Sequence, residues 1–173
     1  MGAIRMKGIV RIGIGIVALL LIGGLVSRAL ESRVQQPIQF NHNLHVEKNG
    51  LSCDTCHQYY AEYQPAGIPK IEVCATCHVA PMGQSPEEAK VRSYVEKGKE
   101  IPWVKIHNVP DHVYFSHRRH VTLGKVDCQI CHGKVKERKT PFEKPVVNII
   151  SMDFCINCHK QRKVTNDCAA CHK

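Results

Sequence analysis

Aromatic side chains are scarce in this chain. Its 173 residues include one tryptophan, five tyrosines and four phenylalanines. Apolar residues other than cysteine are sparse after the N-terminal segment, so the chain cannot bury a large core of its own side chains. The formal net charge is +9, but stacking aromatics and recognition motifs for nucleic acids are lacking, and we expect no nucleic-acid partner.

The motifs of several common enzyme classes are also missing. The sequence shows no Ser/His/Asp set, no phosphate-binding glycine loop and no paired-carboxylate site. It also lacks Cys-x-x-Cys-Lys, which often marks the open haem of multihaem reductases. These absences argue against a hydrolase, a phosphotransferase and a multihaem reductase.

Cysteine, by contrast, is abundant and strictly patterned. All ten cysteines belong to Cys-x-x-Cys pairs, and a histidine directly follows each pair. This is the attachment signature of c-type haem, in which the thiols bond to the vinyl groups and the histidine is the proximal iron ligand. Zinc sites and disulfides do not require a histidine at that position. We therefore predict five haem c groups. In chain order, the first to fifth motifs are Cys53/Cys56/His57, Cys74/Cys77/His78, Cys128/Cys131/His132, Cys155/Cys158/His159 and Cys168/Cys171/His172.

One long apolar run lies near the N-terminus. Residues 12–26 are uncharged and follow three basic residues; with two earlier apolar residues the run reaches about 18 residues, enough for a short membrane span. We predict that residues 1–30 form a single-pass anchor in the cell membrane. The basic residues would keep the N-terminus cytoplasmic and the haem domain periplasmic or extracytoplasmic. The alternative is a cleaved signal peptide, with residues 27–29 as the cleavage site.

A stretch of eighteen residues occurs twice. The sequence FNHNLHVEKNGLSCDTCH begins at Phe40, and FSHRRHVTLGKVDCQICH begins at Phe115, 75 positions later. We call residues 40–45 and 115–120, each reading Phe-x-His-x-x-His, the histidine phrases. Repetition with drifting spacing between the later motifs indicates a duplicated haem module.

The repeat divides the chain after the predicted anchor. We predict a two-haem module at 31–84, a helical connector at 85–106 and a three-haem module at 107–173. In the connector, Ser85 is placed as the helix N-cap, Pro86 as the first helical residue and Gly98 as the stop. Its charged residues are expected to form a solvated face. The predicted fold class is a multihaem cytochrome c, mostly irregular, with short α-helices wrapped around five haems and one N-terminal transmembrane helix.

Six histidines remain after the five proximal ligands, and four of them form the histidine phrases. Four histidines at matched spacing ahead of haem motifs are better explained as distal iron ligands than as surface residues. The arrangement resembles the class III cytochromes, the c3 and c7 types. In that family the first histidine of the phrase ligates the haem attached just downstream, and the second ligates the next haem. The resemblance implies the pairs His42 with His57, His45 with His78, His117 with His132, and His120 with His159.

These four pairs leave the haem at His172 without a distal ligand. In c7-type proteins a histidine just ahead of the second motif serves the third haem, and the candidate at that place in NIISMDFCINCH is Met152. A methionine ligand would raise the potential of this haem above that of its bis-histidine neighbours. His107 and His112 are the alternatives.

The whole chain resembles the pentahaem cytochrome c subunit of alternative complex III, a quinol-oxidising complex. The resemblance rests on the N-terminal apolar segment, the five motifs, and the segments IPWVKIHNVPDHVYFSHRRH and SMDFCINCHK. It implies an electron-transfer subunit without catalysis of its own, which passes electrons to a cytochrome c or a terminal oxidase. The implied partners are an iron–sulfur subunit related to molybdopterin oxidoreductases, polytopic membrane subunits and a monohaem cytochrome.

A stand-alone, membrane-anchored quinol dehydrogenase is the main alternative. Its first haem would lie close to the anchor, whereas roughly 25 residues separate Val26 from Cys53 here. This separation favours the subunit interpretation.

The five motifs make haem content directly measurable. We expect the intact mass of the mature protein to exceed that of its polypeptide by five haems, because each pair of thiols forms two thioether bonds. Haem should also stay with the chain after denaturation. A smaller mass increment, or bound zinc, would contradict the assignment.

Overall fold

The structure is a computed structural model that describes residues 15–24, 34–145 and 151–172. The chain divides into two compact units, Met1–Arg33 and Val34–Lys173. In the first unit, residues 15–24 are helical. All the sites described below belong to the second unit.

The predicted transmembrane helix is wrong. Within the described ranges, no helix combines the length and the apolar character that crossing a membrane requires. Of the predicted anchor, the structure describes residues 15–24. The rest of the predicted anchor lies outside the described residues. The single-pass location in the cell membrane, with its cytoplasmic N-terminus and periplasmic haem domain, depended on that helix and is corrected with it.

The second unit consists of short helical segments joined by irregular chain, as the sequence predicts. The β-pairing found in its described residues is one isolated antiparallel bridge between Val113 and His172. Three of the α-helices are short segments of four or five residues that begin at the first cysteine of a motif. The α-helices are Cys53–Cys56, Ile71–Ala75, Pro86–Glu96, Cys128–His132, Met152–Arg162 and Cys168–Cys171; the π-helices are Asn43–Lys48 and Arg118–Leu123; the 3-10 helices are Gln58–Ala61 and Val135–Glu137.

The core of buried side chains is small, as the scarcity of apolar residues predicts. Ile38 is the most deeply buried of the described residues, at 2 % exposure. It clusters with three other aliphatic side chains beside the helix that carries the second motif. The cluster consists of Ile38, Ile71, Val91 and Ile101, with Cys74, Tyr94, Val95 and Trp103 packed against it.

The helix Pro86–Glu96 confirms the predicted connector helix. Ser85 Oγ accepts a hydrogen bond from the backbone N–H of Glu87 at 3.3 Å, and Pro86 occupies the first turn. Beyond the helix, Gly98 adopts a positive φ of 58°. Val91 turns into the core, which holds the helix against Ile71–Ala75. The expectation of a fully solvated charged face is wrong for Glu88, whose side chain is only 11 % exposed.

The two repeats pack against each other reciprocally. The π-helix Asn43–Lys48 of the first repeat contacts Val135–Glu137, which follows the third motif. The π-helix Arg118–Leu123 of the second repeat contacts Gln58–Ala61, which follows the first motif. Each histidine phrase therefore lies against the loop that follows the first motif of the other repeat.

Backbone hydrogen bonds hold each histidine phrase against the loop of the other repeat. Asn43 N donates to Arg138 O at 2.8 Å, and His117 N donates to Gln64 O at 3.0 Å. The side-chain amide of Asn43 also donates to the carbonyl of Lys136 at 3.3 Å. These bonds bring the first and third motifs next to each other.

Candidate haem sites

Each histidine phrase folds into the same arrangement of three rings. Phe40 meets the ring of His42 edge-on, with 4.8 Å between centroids, and stacks on His45 at 4.4 Å. Phe115 holds the two corresponding histidines of the second phrase in the same way, edge-on at 4.9 Å and stacked at 4.7 Å. The phenylalanine thus separates the two histidines of a phrase and turns their rings to different sites.

Backbone carbonyl groups orient the rings of five histidines. In each, ring nitrogen Nδ1 lies 2.6 to 2.9 Å from a carbonyl oxygen. Because a carbonyl oxygen can only accept, Nδ1 carries the proton, and Nε2 keeps the lone pair that a metal ion binds. The five contacts join His45 to Asn41, His57 to Gly67, His117 to Gln64, His120 to Ser116, and His159 to Thr165.

Three pairs of imidazole rings face each other at nearly the same separation. Two imidazoles that bind one metal ion from opposite sides have centroids about 6 Å apart, since each metal–nitrogen bond is about 2 Å long. The observed separations match this value. They are 6.2 Å for His45 and His78, 6.3 Å for His117 and His132, and 6.0 Å for His120 and His159. The structure therefore brings together three of the four pairs that the family resemblance implies.

The fourth implied pair is His42 and His57, and the two side chains interact electrostatically. Burial, together with the positive charges of His57, His45 and Arg138, lowers the pKa of His42 to about 4. Nδ1 of His42 is buried without a hydrogen-bond partner among the described residues. His42 is thus neutral near pH 7, and a neutral imidazole is the form that binds a metal ion.

His132 has two histidine neighbours. The ring of His117 is parallel to it, whereas the ring of His107 is perpendicular, with 4.8 Å between centroids. Burial, together with the charges of His107, His117 and His57, lowers the pKa of His132 to about 4. The separation from His107 is shorter than the roughly 6 Å between two ligands of one ion. His117 is therefore the better counterpart of His132.

His112 lies beside the histidine of the fifth motif. The rings of His112 and His172 are nearly parallel, 13° apart, with 5.6 Å between centroids. The bridge between Val113 and His172 and a 2.7 Å bond from Tyr114 N to Cys171 O hold the two segments together. Met152 begins the helix Met152–Arg162, and its side chain is 62 % exposed.

The second, first and third motifs are spatial neighbours in that order. Burial raises the pKa of Cys128 in the third motif, and the nearby thiol of Cys53 in the first raises it further. Burial raises the pKa of Cys74 in the second motif, and the nearby thiol of Cys56 raises it further. Cys56 of the first motif and Val73, the residue before Cys74, line the same cleft.

The fourth and fifth motifs continue this order. Burial raises the pKa of Cys131 in the third motif, and Cys158 and Cys155 of the fourth raise it further. Burial also raises the pKa of Cys155, and the nearby thiol of Cys171 in the fifth motif raises it further. All ten cysteines are free thiols. The motifs thus form a row in the order second, first, third, fourth, fifth.

The motif cysteines differ in how far the protein covers them. The sequence pattern does not distinguish the two cysteines of a motif. In the structure, the two cysteines of the second motif differ in burial. Cys77 is exposed, whereas Cys74 is partly buried against the aliphatic core. The hydroxyl of Thr76 lies 3.7 Å from Cys77 Sγ, to which it donates. Cys155 and Cys168 are also exposed, and the remaining motif cysteines are partly buried. At the second motif, therefore, one predicted attachment thiol lies inside the packed region and the other faces solvent.

Comparison with known proteins identifies the family. The sequence profile described as cytochrome c7 and related cytochrome c matches the chain twice, over residues 38–97 and 113–173. The chain belongs to this family. It is also similar to the multihaem cytochrome c subunit of menaquinone reductase from Nitratidesulfovibrio vulgaris (strain Hildenborough), with 34 % identity over 167 residues, 83 % of this chain and 80 % of that protein. These matches show a c7-type multihaem cytochrome, and do not show alternative complex III in particular.

A c7-type cytochrome binds haem c covalently, and the described residues fit that group. Each motif offers two free thiols and a histidine. Most motif histidines face a second imidazole at the spacing that one metal ion requires. The family therefore confirms the predicted class of cofactor and the mostly irregular fold with short helices.

Two supports of the c7-type haem sites were not identified from the sequence. The carbonyl of Gly67 accepts from His57 Nδ1 at 2.9 Å, and Gly67 adopts a φ of +82° with no room for a Cβ beside the ring of Tyr59. The carboxylate of Glu88 faces His78 Nδ1 at 3.5 Å. A glycine after the first motif and a glutamate in the first turn of the connector were the available signals, and neither type of residue is specific.

Replacing Gly67 by alanine tests the carbonyl support. We expect Gly67→Ala to destabilise the holoprotein by about 1–3 kcal/mol, because a left-handed residue is strained and the new methyl group collides with Tyr59. The displaced carbonyl should also alter the spectrum of one haem. Gly50→Ala is the matched control, since Gly50 has a φ of +70° with nothing within 4 Å of an added Cβ. Thermal unfolding and haem spectra that are no more affected in Gly67→Ala than in Gly50→Ala would contradict the role of this carbonyl.

Proposed function

We propose that this c7-type cytochrome carries electrons through five covalently bound haem c groups as a subunit of a quinone-linked oxidoreductase complex. The observation that carries the proposal is the facing of imidazole rings at about 6 Å. Two protein ligands on an iron leave no open position for a substrate. Each haem, when bound, supplies a one-electron ferric/ferrous couple.

The ten motif cysteines would attach the haems, and the five motif histidines would be the proximal ligands. For the distal ligands we propose His42, His45, His117 and His120, paired as the family resemblance implies. Carbonyl contacts fix the protonated nitrogen of three of them, so that the free nitrogen points away from the backbone. For the fifth site we propose His112, because it is stacked beside His172.

The polypeptide would supply the iron ligands, set the spacing between the haems and provide their surroundings. The phenylalanine of each phrase keeps two ligand rings apart, and the small aliphatic core anchors the second motif. The row of motifs provides one continuous path whose ends are the second and the fifth motifs. A path with two separate ends suits a protein that joins two redox partners.

The quinone-linked complex is proposed from two likenesses. The similar protein from Nitratidesulfovibrio vulgaris is a subunit of menaquinone reductase, and the sequence resemblance points to a quinol-oxidising complex. Both likenesses support a role for this chain in a quinone-linked complex. We therefore propose an iron–sulfur subunit related to molybdopterin oxidoreductases, polytopic membrane subunits and a monohaem cytochrome as candidate partners.

Carbon monoxide distinguishes an electron carrier from a haem enzyme. We expect the fully reduced holoprotein to keep its absorption spectrum under carbon monoxide, because every iron has two protein ligands.

The same protein, isolated under mild conditions from its native cells, should co-purify with the subunits of a quinone-linked complex. A haem that binds carbon monoxide, together with isolation of the chain free of such subunits, would contradict the proposal.

The fifth ligand can be determined by comparing two variants. We expect His112→Ala to convert one haem to a high-spin form, visible in the electron paramagnetic resonance spectrum. Met152→Ala, the matched control, should leave all haems low-spin because the exposed thioether is not a ligand in this assignment. A high-spin haem in Met152→Ala alone would restore the methionine prediction, and low-spin spectra in both variants would contradict His112.

A further inference from the structure

The proximal histidine of the second motif has an unusual partner. Five other histidines present Nδ1 to a neutral backbone carbonyl. The group that faces Nδ1 of His78 is the carboxylate of Glu88, with 3.5 Å between Nδ1 and Oε1. This is an ion-pair distance, longer than the roughly 2.9 Å of a normal hydrogen bond.

The two side chains can satisfy each other's unpaired atoms. His78 Nδ1 and Glu88 Oε2 are both buried, and neither has a hydrogen-bond partner among the described residues. Leaving a buried donor and a buried acceptor unpaired is costly. A small rotation of the glutamate would let the carboxylate accept the Nδ1 proton of His78.

Two other donors hold the same carboxylate oxygen in place. Glu88 Oε1 accepts from Arg92 Nε at 3.1 Å and from the backbone N–H of Met82 at 3.2 Å. Glu88 lies in the first turn of Pro86–Glu96, and Val91 anchors that helix in the core. The same core packs against Cys74 of the second motif. Helix and motif are therefore fixed relative to each other.

We propose that Glu88 is a positioning residue that tunes the haem of the second motif, making it the lowest in potential of the five. A carboxylate hydrogen-bonded to a ligand histidine increases the basicity of the imidazole. A more basic, more negative ligand stabilises ferric over ferrous iron and lowers the potential. Resting on the proposed electron-transfer function, this assigns the second motif as the low-potential end of the row.

The variant Glu88→Gln removes the charge and keeps the size and an acceptor oxygen. In a spectroscopic redox titration of the holoprotein, we expect one haem to rise in potential, with about a tenfold change in its ferric/ferrous equilibrium, which is about 60 mV for one electron. Contacts between haem protons and protein protons, detected by nuclear magnetic resonance, should assign the shifted haem to the second motif. Glu88→Asp, which retains the charge, should shift it much less.

Glu87→Gln is the matched control. Glu87 is the adjacent carboxylate on the same helix, and it binds Lys90 and the backbone N–H of Gln39. The variant Glu87→Gln should leave the potentials of all five haems unchanged. An equal shift in both variants, no shift in Glu88→Gln, or loss of low-spin coordination at the second motif would overturn the proposal. These potentials are measured on the isolated holoprotein, so they are independent of whether the chain works in a quinone-linked complex.

Discussion

The fixed orientation of the histidine rings is the constraint on which the rest of the structure depends. A chain with so few apolar side chains cannot define its fold by packing alone. Carbonyl groups close to the histidines hold Nδ1, and each phenylalanine of a histidine phrase keeps two rings apart. Since every held ring has a free Nε2, the chain is arranged around points where two imidazoles meet. A fold of this kind derives much of its stability from the groups that it binds.

Duplication explains why the row of motifs does not follow the chain. Each histidine phrase packs against the loop of the other repeat, which brings the first and third motifs together in the middle. The second motif is left at one end, beside the aliphatic core and Glu88, and the fifth is left at the other, beside His112. The two ends therefore differ in their surroundings, and this asymmetry can give the row a direction.

The sequence predicts the haem class, the short helices and the connector helix, because these depend on local patterns such as Cys-x-x-Cys-His and the cap at Ser85. It does not predict contacts between distant segments, such as the stacking of His112 on His172, or the unequal burial of Cys74 and Cys77 within one motif. The helix pattern predicts a solvated Glu88, because a single pattern does not show what packs above the first turn of the helix. The predicted membrane helix is wrong, because no helix in the described ranges has the length and apolar character of a membrane span.

The central claim is that paired imidazoles arrange five irons in one row whose order differs from that of the motifs in the chain. Anomalous X-ray scattering at the iron edge, measured on crystals of the holoprotein, tests it most directly. The account predicts five iron positions in the order second, first, third, fourth, fifth motif, each between two protein ligands. Irons in another order, with the second motif's iron nearest to that of the third or fourth motif, or an iron with a single protein ligand, would contradict it.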